Sequence, residues 1–303
     1  MKIVKIIGGL GNQMFQYALY LSLKKKYPKE KIKIDISMFE TYGLHNGFEL
    51  KRIFDIDAEY ASREEIRELS FYIKIYKLQR IFRKIFPVRK TECVEKYDFK
   101  FMSEVWSNCD RYYEGYWQNW EYFIEAQTEV RSTFTFKKEL VGRNAKVIRE
   151  IQYAKMPVSL HIRRGDYLHH KLFGGLCDLN YYKKAIDYVL NNYDTPQFYL
   201  FSNDIEWCKT YILPLVQGYP FILVDWNSGV ESYIDMQLMS CCRINIIANS
   251  SFSWWAAWLN DSSEKIVIAP KLWAHSPYGK EIQLKSWLLF CYERQSFYYY
   301  SLL

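Results

Sequence analysis

The chain has 303 residues, half of them hydrophobic, and carries 41 lysines and arginines against 34 aspartates and glutamates, for a net charge of +7. This length fits two domains of ordinary size. The moderate basic excess favours anionic partners but selects none among phosphates, acidic membranes and nucleic acid. No stretch reaches the roughly 18 consecutive apolar residues of a membrane span, which argues against a spanning protein.

The cysteines and the N-terminus indicate a cellular compartment. The seven cysteines are widely spaced without a Cys-x-x-Cys pair, so we expect reduced thiols and neither a zinc site nor a disulfide framework. The apolar run from Met1 to Ile7 is interrupted by Lys5 and is too short for a signal peptide. We therefore predict a cytoplasmic protein, at most peripheral to the inner membrane.

The first segment predicts a strand, a glycine-rich turn and a helix. The strand covers Lys2–Ile7, the turn covers Gly8–Gln13, and the amphipathic helix covers Met14–Lys24. This order is typical of a nucleotide-binding unit. The complete Gly-x-Gly-x-x-Gly spacing and a Gly-Lys-Ser/Thr sequence are both missing. Two interpretations stay open: a tight packing turn, or a turn whose N–H groups and Asn12 face a cleft.

A second strand is predicted at Lys31–Ile36, and residues 63–90 then have a helical pattern. Apolar side chains share one face of this predicted helix and basic side chains lie largely opposite. The apolar set is Phe71, Ile75, Leu78, Phe82 and Ile85, and the basic set is Lys74, Lys77, Arg80 and Lys84. An ordinary helix with a solvated side is the favoured interpretation, and a helix lying on an anionic membrane is the alternative.

The segment Tyr112–Trp120 combines aromatic side chains with amide and carboxylate groups. Aromatic rings stack on sugars but also fill protein cores, and both interpretations fit equally well. Helical residues follow from Lys137 to Tyr153, and we place a domain boundary near Phe136. The predicted domains are therefore residues 1–136 and residues 137–303.

The second half alternates between strands and helices, which predicts a parallel sheet with helices on both faces. The predicted strands are Val158–Ile162, Gln197–Phe201, Phe221–Val224, Ile244–Ile247 and Lys265–Ala269, and the predicted helices are Tyr181–Asn191, Ile205–Ile212, Ser232–Ser240 and Phe252–Leu259.

Polar residues follow three of these strands, at His161–Asp166, Ser202–Asp204 and Asn249–Ser251. Because ligands bind beyond the carboxyl ends of parallel strands, we expect these segments to meet at one crevice. Arg163 and Arg164 suit a phosphate, since guanidinium groups donate paired hydrogen bonds to phosphate oxygens. A solvated basic turn with one ion pair is the alternative.

The serine pair and two aspartates have alternative roles as well. Ser250 and Ser251 begin a helix, where they can bind an anion, cap the helix, or do both. Asp235 lies in an apolar helix and can accept N–H groups from a guanine edge or pair with Arg243 or another cation. Asp204 can be a helix cap.

Metal ligands are not evident in the sequence. His169 and His170 have no suitably spaced carboxylate or thiol, and no Asp-x-Asp is present for a divalent ion. We therefore predict a metal-independent reaction with no cofactor.

Three long segments, Gly8–Ala18, His161–Tyr167 and Asn249–Leu259, resemble the bacterial alpha-1,2-fucosyltransferases of glycosyltransferase family 11. The resemblance implies an α/β, GT-B-like fold of two Rossmann-like domains with a cleft between them. It implies inverting, metal-free transfer of L-fucose from GDP-fucose to the 2-hydroxyl of a galactose. The acceptor would be a galactose-terminated oligosaccharide or a lipid-linked glycan of the bacterial surface. Eukaryotic relatives carry a membrane anchor that this sequence lacks.

The resemblance also implies roles for individual residues. Arg163 matches the arginine that binds the donor's β-phosphate, and His161 and Asp235 match positions near the guanine. Ser250 and Ser251 match a serine segment near the diphosphate. We add residues of the same turns and strand ends to the predicted donor site, namely Arg164, Ser202, Asp204 and Gly11.

For the reaction we predict that the acceptor hydroxyl attacks the anomeric carbon while Arg163 stabilises the charge growing on the diphosphate. Asn12 would hold the phosphate or the fucose from the other domain. Asp166 is either the general base or an ion-pair partner that orients an arginine.

Two alternative functions stay open. One is a transferase that makes another linkage or uses another GDP-sugar, and the other is a non-catalytic carbohydrate-binding protein. A nucleic-acid-binding protein explains the charge but not the strand-end segments.

Overall fold

The computed structural model describes residues 1–73 and 75–291, without the side chains of Tyr76 and Arg80. In this part of the chain ten strands form two sheets in which every neighbouring pair is parallel. The strands are β1 Lys2–Lys5, β2 Ile32–Asp35, β3 Glu92–Val94, β4 Arg111–Glu114, β5 Met156–Ile162, β6 Pro196–Ser202, β7 Phe221–Val224, β8 Ile244–Ile246, β9 Ile266–Pro270 and β10 Leu288–Phe290. The strand orders are β2-β1-β4-β3 and β10-β9-β8-β5-β6-β7.

Helices connect the strands, as parallel pairing requires. They are α1 Leu10–Lys26, α2 Leu50–Phe54, α3 Arg63–Leu69, α4 Tyr76–Ile85, α5 Gln127–Thr133, α6 Gly142–Tyr153, α7 Leu179–Asn192, α8 Ile205–Trp207, α9 Tyr233–Ser240 and α10 Ser251–Leu259. The parallel α/β architecture predicted from the alternating pattern is thus confirmed. The predicted helix Ile205–Ile212 is shorter, because a π-helical turn at Cys208–Ile212 follows α8.

The first sheet is built from residues before Phe136 and the second from residues after it. An apolar core continues between them, because Phe15 of α1 packs against Trp254 and Trp255 of α10 with ring centroids 4.7 and 4.9 Å away. The indole Nε1 of Trp255 donates to the carbonyl oxygen of Gly11 at 3.0 Å. The two halves are therefore firmly packed, and the domain boundary at Phe136 stays a prediction.

The aromatic segment beginning at Tyr112 belongs mainly to the core. Tyr112 and Tyr113 lie in β4, which pairs with strands on both sides, and both side chains are buried together with Trp117. Burial on both faces removes the alternation that marks a half-exposed strand, so β4 was missed in the sequence. Core packing thus accounts for these three rings.

The prediction of one helix over residues 63–90 is wrong. The helix α3 ends at Leu69, and α4 starts at Tyr76. Between them the buried Ser70 adopts an extended conformation and its hydroxyl donates to Glu92 Oε1 at 2.5 Å. This tertiary hydrogen bond interrupts the local helical pattern. Lys74, part of the predicted basic face, lies outside the described residues.

The orientation of α4 is also opposite to the favoured interpretation. Its packed side is polar, since Gln79 accepts a hydrogen bond from Lys5 Nζ at 2.7 Å and Arg83 pairs with Glu92 at 2.7 Å. Its apolar side faces outward, with Leu78 51%, Ile81 55% and Ile85 69% exposed. We call these three residues the α4 patch. In the part of the chain that is described, no helix is long and apolar enough to cross a bilayer.

Candidate active site

A cavity of about 800 Å³ lies where both sheets end. The second half contributes residues that follow β5, β6 and β8, and the first half contributes residues that follow β1 and β3. The crevice predicted beyond the parallel strands is therefore present. It brings together most of the predicted site residues, namely Gly11, Asn12, His161, Arg163, Asp166, Ser202, Asp235, Ser250 and Ser251.

The N-termini of α1 and α10 meet at this cavity. Gly11 makes the approach possible, because a Cβ atom there would lie 2.6 Å from the carbonyl carbon of Ser251 and 2.8 Å from the nitrogen of Phe252. Ser250 caps α10 and its Oγ accepts a hydrogen bond from the Phe252 amide at 3.3 Å. Free N–H groups and the helix dipole make such an N-terminus favourable for an anion.

Asn12 connects the two halves at the same place. Its Oδ1 accepts a hydrogen bond from Gln118 Nε2 at 2.6 Å and another from Ser251 Oγ at 3.0 Å. Asn12 therefore connects the first half to the start of α10. Asn12 also lines the cavity, which agrees with the interpretation that the glycine turn faces a cleft.

Arg163 presents an incompletely satisfied guanidinium group on the cavity wall. Its Nη2 pairs with Asp166 Oδ1 at 2.9 Å, and the group lies over the Tyr167 ring, 5.3 Å from the centroid. Its Nε is buried without a hydrogen-bond partner. Since buried N–H groups are nearly always paired, this donor is suited to an anionic ligand.

Asp166 is the ion-pair partner of Arg163, and both of its oxygens lie within 3.0 Å of Arg163 Nη2. The side chain is 56% exposed. The pairing is the arrangement expected of a residue that orients the guanidinium group. The alternative role of Asp166 as general base stays a prediction.

His161 is buried at the end of β5. Burial, assisted by the charge of Arg163, lowers the pKa of its imidazole to about 3. The ring is therefore neutral near pH 7, and its Nδ1 is buried without a partner. A neutral imidazole in this position can donate or accept one hydrogen bond with a ligand.

Asp235 lies in the first turn of α9 and lines the cavity. Its Oδ1 accepts a hydrogen bond from Asn227 Nδ2 at 2.7 Å, and burial raises the pKa of its carboxyl group to about 7. Arg243 instead pairs with Glu264 at 2.7 Å. The alternative that Asp235 pairs with Arg243 is therefore wrong.

Arg164 and Asp204 pair with each other, with Arg164 Nε 3.0 Å from Asp204 Oδ2. The guanidinium group of Arg164 also lies 4.1 Å from the Trp207 ring centroid, and Asp204 caps α8. Neither residue is among the described residues that line the cavity. Their direct contact with a donor stays a prediction, whereas the predicted cap role of Asp204 is confirmed.

Sequence reasoning missed Glu95, His45 and Asn227, which also line the cavity. Glu95 follows β3, a three-residue strand that the pattern did not reveal. His45 lies in a loop without a motif, and burial and the charge of Arg163 lower the pKa of its imidazole. The sequence signal that could have revealed Glu95 is its position directly after a strand. This signal is usable only when β3 is recognised as a strand.

Possible metal ligands are the side chains of histidine, cysteine, aspartate and glutamate. Within residues 1–73 and 75–291, no group of three or more histidine, cysteine, aspartate and glutamate side chains is placed to hold a metal ion. The metal independence of the reaction stays a prediction.

Solved structures share this architecture. The alpha-1,6-fucosyltransferase NodZ from Bradyrhizobium is 15% identical, with a TM-score of 0.52 over 84% of this chain and 90% of that chain. At this identity the likeness concerns the fold. Two parallel sheets that share a cavity at their carboxyl ends thus have the GT-B arrangement.

Sequence relatives specify the family. An alpha-1,2-colitosyltransferase of Escherichia coli is 34% identical over 89% of this chain and 91% of its own length. The E. coli O-antigen biosynthesis glycosyltransferase WbnK is 30% identical over 93% and 97%. Human galactoside alpha-(1,2)-fucosyltransferase 1 is 25% identical over 83% of this chain and 63% of its own length. The glycosyl transferase family 11 model matches residues 1–290, and the chain belongs to this family.

Proposed function

We propose that the protein transfers L-fucose from GDP-fucose to the 2-hydroxyl of a galactose, with inversion and without a metal. The carrying observation is that Arg163, whose buried Nε has no hydrogen-bond partner, lines the same cavity as the N-terminal residues of α10. A guanidinium group and a helix N-terminus together suit a diphosphate. The names of the colitosyl- and fucosyltransferase relatives, both alpha-1,2, support the linkage.

The donor has a complementary group for each of its parts. Arg163 and the Ser250–Ser251 segment bind the diphosphate, and Gly11 lets α1 approach it closely. His161, neutral and unpaired at Nδ1, and Asp235 bind the guanine, whose N–H groups match a carboxylate acceptor. Contact with these N–H groups would favour the ionised form of Asp235. The loop after β5, which carries part of the donor site, is held by hydrogen bonds that involve Ser202, Arg164 and Asp204.

The reaction is a direct displacement at the anomeric carbon. Arg163 stabilises the negative charge that develops on the leaving diphosphate, a contribution of roughly 3 to 4 kcal/mol for one well-placed donor. Asp166 holds the guanidinium group in position, and Asn12 holds the cleft closed through Ser251 and Gln118. No nucleic acid takes part.

We infer that the acceptor is a galactose-terminated oligosaccharide or a lipid-linked glycan. A cytoplasmic protein that meets a lipid-linked glycan works at the inner membrane. The outward-facing α4 patch, with exposed Lys77 and Lys84 beside it, supports peripheral contact with an anionic bilayer surface.

GDP-colitose is the second candidate donor, because a 34% identical relative is named as a colitosyltransferase. Colitose is fucose without its 3-hydroxyl, so one hydrogen-bonding group separates the two donors. A site that bonds a hydroxyl rejects the analogue lacking it by a large factor, whereas a site without such a bond accepts both.

A transfer assay tests the proposal. Purified protein is offered GDP-fucose or GDP-colitose with lactose and other galactose-terminated glycans, with and without a chelator, and GDP release and product mass are followed. We expect fucosyl transfer that the chelator leaves unchanged. Transfer of colitose alone would move the assignment to the second donor, loss with the chelator would contradict the metal-free reaction, and no transfer to any galactoside would refute the proposal.

A further inference from the structure

Glu95 lies on the wall of the cavity formed by the first half, and is one of six carboxylates that line it, with Glu49, Asp98, Asp166, Asp225 and Asp235. It directly follows β3. In the described part of the chain it has no ion pair with a lysine, arginine or histidine, unlike Asp166, which is occupied by Arg163. Unlike Asp166, Glu95 is therefore available for proton transfer.

The backbone positions the Glu95 side chain closely. The amide of Tyr116 donates to Oε2 at 2.7 Å, and the amide of Trp117 donates to Oε1 at 3.2 Å. A Cβ atom on Gly115 would lie 2.5 Å from the Glu95 Cβ, so only glycine permits this approach. Trp117 has a φ of 54°, a left-handed value that is costly for a bulky side chain and typical of functional sites.

The electrostatic surroundings of Glu95 suit a base near neutral pH. Burial raises the pKa of its carboxyl group to about 7, the charge of Asp98 acts in the same direction, and the two amide hydrogen bonds act against it. A base is most effective when its pKa lies near the working pH.

A short chain of contacts connects Glu95 to the start of α10. Trp117 donates to Glu95, and its neighbour Gln118 donates to Asn12 at 2.6 Å. Asn12 in turn accepts from Ser251 at 3.0 Å. Glu95 thus belongs to the first half and lines the same cavity as Ser251, where the donor's diphosphate is proposed to bind.

We propose that Glu95 is the general base of the transfer reaction, a role that rests on the proposed function. The acceptor hydroxyl oxygen forms a bond to the anomeric carbon, and the bond from that carbon to the β-phosphate oxygen breaks with its electron pair leaving on GDP. The hydroxyl proton moves to the Glu95 carboxylate and is later released to water. No further reactant is needed.

The test compares Glu95→Gln with the wild-type protein at saturating GDP-fucose. Since general bases contribute about 10²- to 10⁴-fold, we expect kcat to fall at least 100-fold. GDP affinity, measured by calorimetry, should change by less than about threefold. Glu95→Asp keeps a carboxylate and should recover at least tenfold over Glu95→Gln. Loss of GDP binding, or turnover within tenfold of the wild type, would overturn the proposal.

The pH profile provides an independent readout. Wild-type kcat should fall as the pH drops below about 7, because the base becomes protonated, and this limb should be missing in Glu95→Gln. Cys93 and Tyr122 interact electrostatically with Glu95, but burial raises the pKa of each, so they stay neutral in this range. Asp235 also has a pKa of about 7. A limb that persists in Glu95→Gln would therefore belong to another group of the cavity, such as Asp235 or Asp166, and contradict the role of Glu95.

Two matched variants complete the experiment. Asp98→Asn removes the neighbouring charge and should move the acid limb to lower pH, with turnover kept within about threefold. Asp166→Asn should weaken GDP binding while keeping the acid limb. Loss of the limb in Asp166→Asn alone would assign the base to Asp166. If the wild-type protein transfers no sugar from GDP-fucose, it is the proposed function that fails, before any variant is compared.

Discussion

At the scale of single residues, Arg163 has the clearest assignment. Asp166 pairs with its guanidinium group, and the buried Nε of Arg163 has no hydrogen-bond partner. A planar guanidinium group can bond two phosphate oxygens at once, which lysine cannot do. Arg163 should therefore act both in donor binding and in stabilising the leaving group.

Replacing Arg163 by alanine should lower kcat by about 10²- to 10³-fold, the usual cost of removing one donor to a developing charge. The measurement is steady-state GDP release at saturating acceptor and donor. Arg243→Ala is the control, because Arg243 forms a half-exposed pair with Glu264 far from this chemistry and should change kcat less than twofold. Near-normal turnover of Arg163→Ala would exclude the proposed role.

The sequence allowed Arg163 to be predicted but not Glu95, for a physical reason. Arg163 follows β5, a seven-residue buried strand whose length made it visible. Glu95 follows a three-residue strand, and its environment depends on Gly115 and on amides about twenty residues away. Arg164 was predicted to bind the donor together with Arg163 because the two arginines are adjacent in the sequence. In the structure the side chain of Arg164 instead contacts Asp204 and Trp207.

At the scale of elements, the meeting of α1 and α10 builds the site. Each helix places its N-terminus at the cavity, and Gly11 removes the side chain that would keep them apart. The core contacts of Phe15 with Trp254 and Trp255 maintain the arrangement.

Gly11→Ala should destabilise the protein by about 1 to 3 kcal/mol, because the new methyl group overlaps the Ser251 backbone and overpacking has this typical cost. It should also lower the affinity for GDP by displacing the start of α10. Urea unfolding and calorimetry measure the two effects. Gly43→Ala is the matched control, since a Cβ atom there meets nothing within 4 Å. Equal stability of the two variants would contradict this account of the interface.

The helix α4 shows what periodicity cannot provide. The pattern identified the apolar residues Leu78 and Ile85, but not the packed polar residues Gln79 and Arg83. Periodicity carries no information about which face the protein buries. Lys5, Glu92 and Glu114 offer charged partners at that side of the sheet, so the polar face of α4 packs inward. The alternative interpretation, a helix with its apolar side on a membrane, is compatible with this orientation and stays a prediction.

The α4 patch should bind vesicles that contain anionic phospholipid. Replacing Ile81 and Ile85 by serine should weaken the affinity for such vesicles, measured by co-sedimentation, about 30-fold, because roughly 2 kcal/mol of apolar burial is lost. Val141→Ser is the control, since Val141 is 77% exposed on another part of the surface. High salt should weaken the binding through screening of the basic residues. Unchanged sedimentation of the double variant would refute membrane contact through α4.

At the scale of the whole molecule, the alternation of strands and helices was sufficient to predict the parallel α/β architecture. Five strands of the second sheet could be located because helices of regular period accompany them. The sixth strand, β10, was missed, because it has three residues and no helix lies between it and β9. The first sheet was harder, because β3 and β4 are three and four residues long and are joined by irregular chain. The continuous core between the halves was also unpredictable, since it depends on rings that are distant in sequence, such as Phe15 and Trp254.

The arrangement of both halves around one cavity leads to a single chemical expectation. The acceptor would bind on the side of Glu95, and the donor would bind on the side of Arg163. The attacking hydroxyl would then lie on the face of the donor's fucose that is opposite GDP. Displacement from that face inverts the anomeric configuration.

The most direct measurement is the NMR structure of the disaccharide product formed from GDP-fucose and a galactoside. We predict a fucose joined in α configuration to O2 of galactose, identified by its anomeric coupling constant and by a through-space contact between fucose H1 and galactose H2. A β-linked fucose, or attachment at another hydroxyl of galactose, would contradict the proposed reaction.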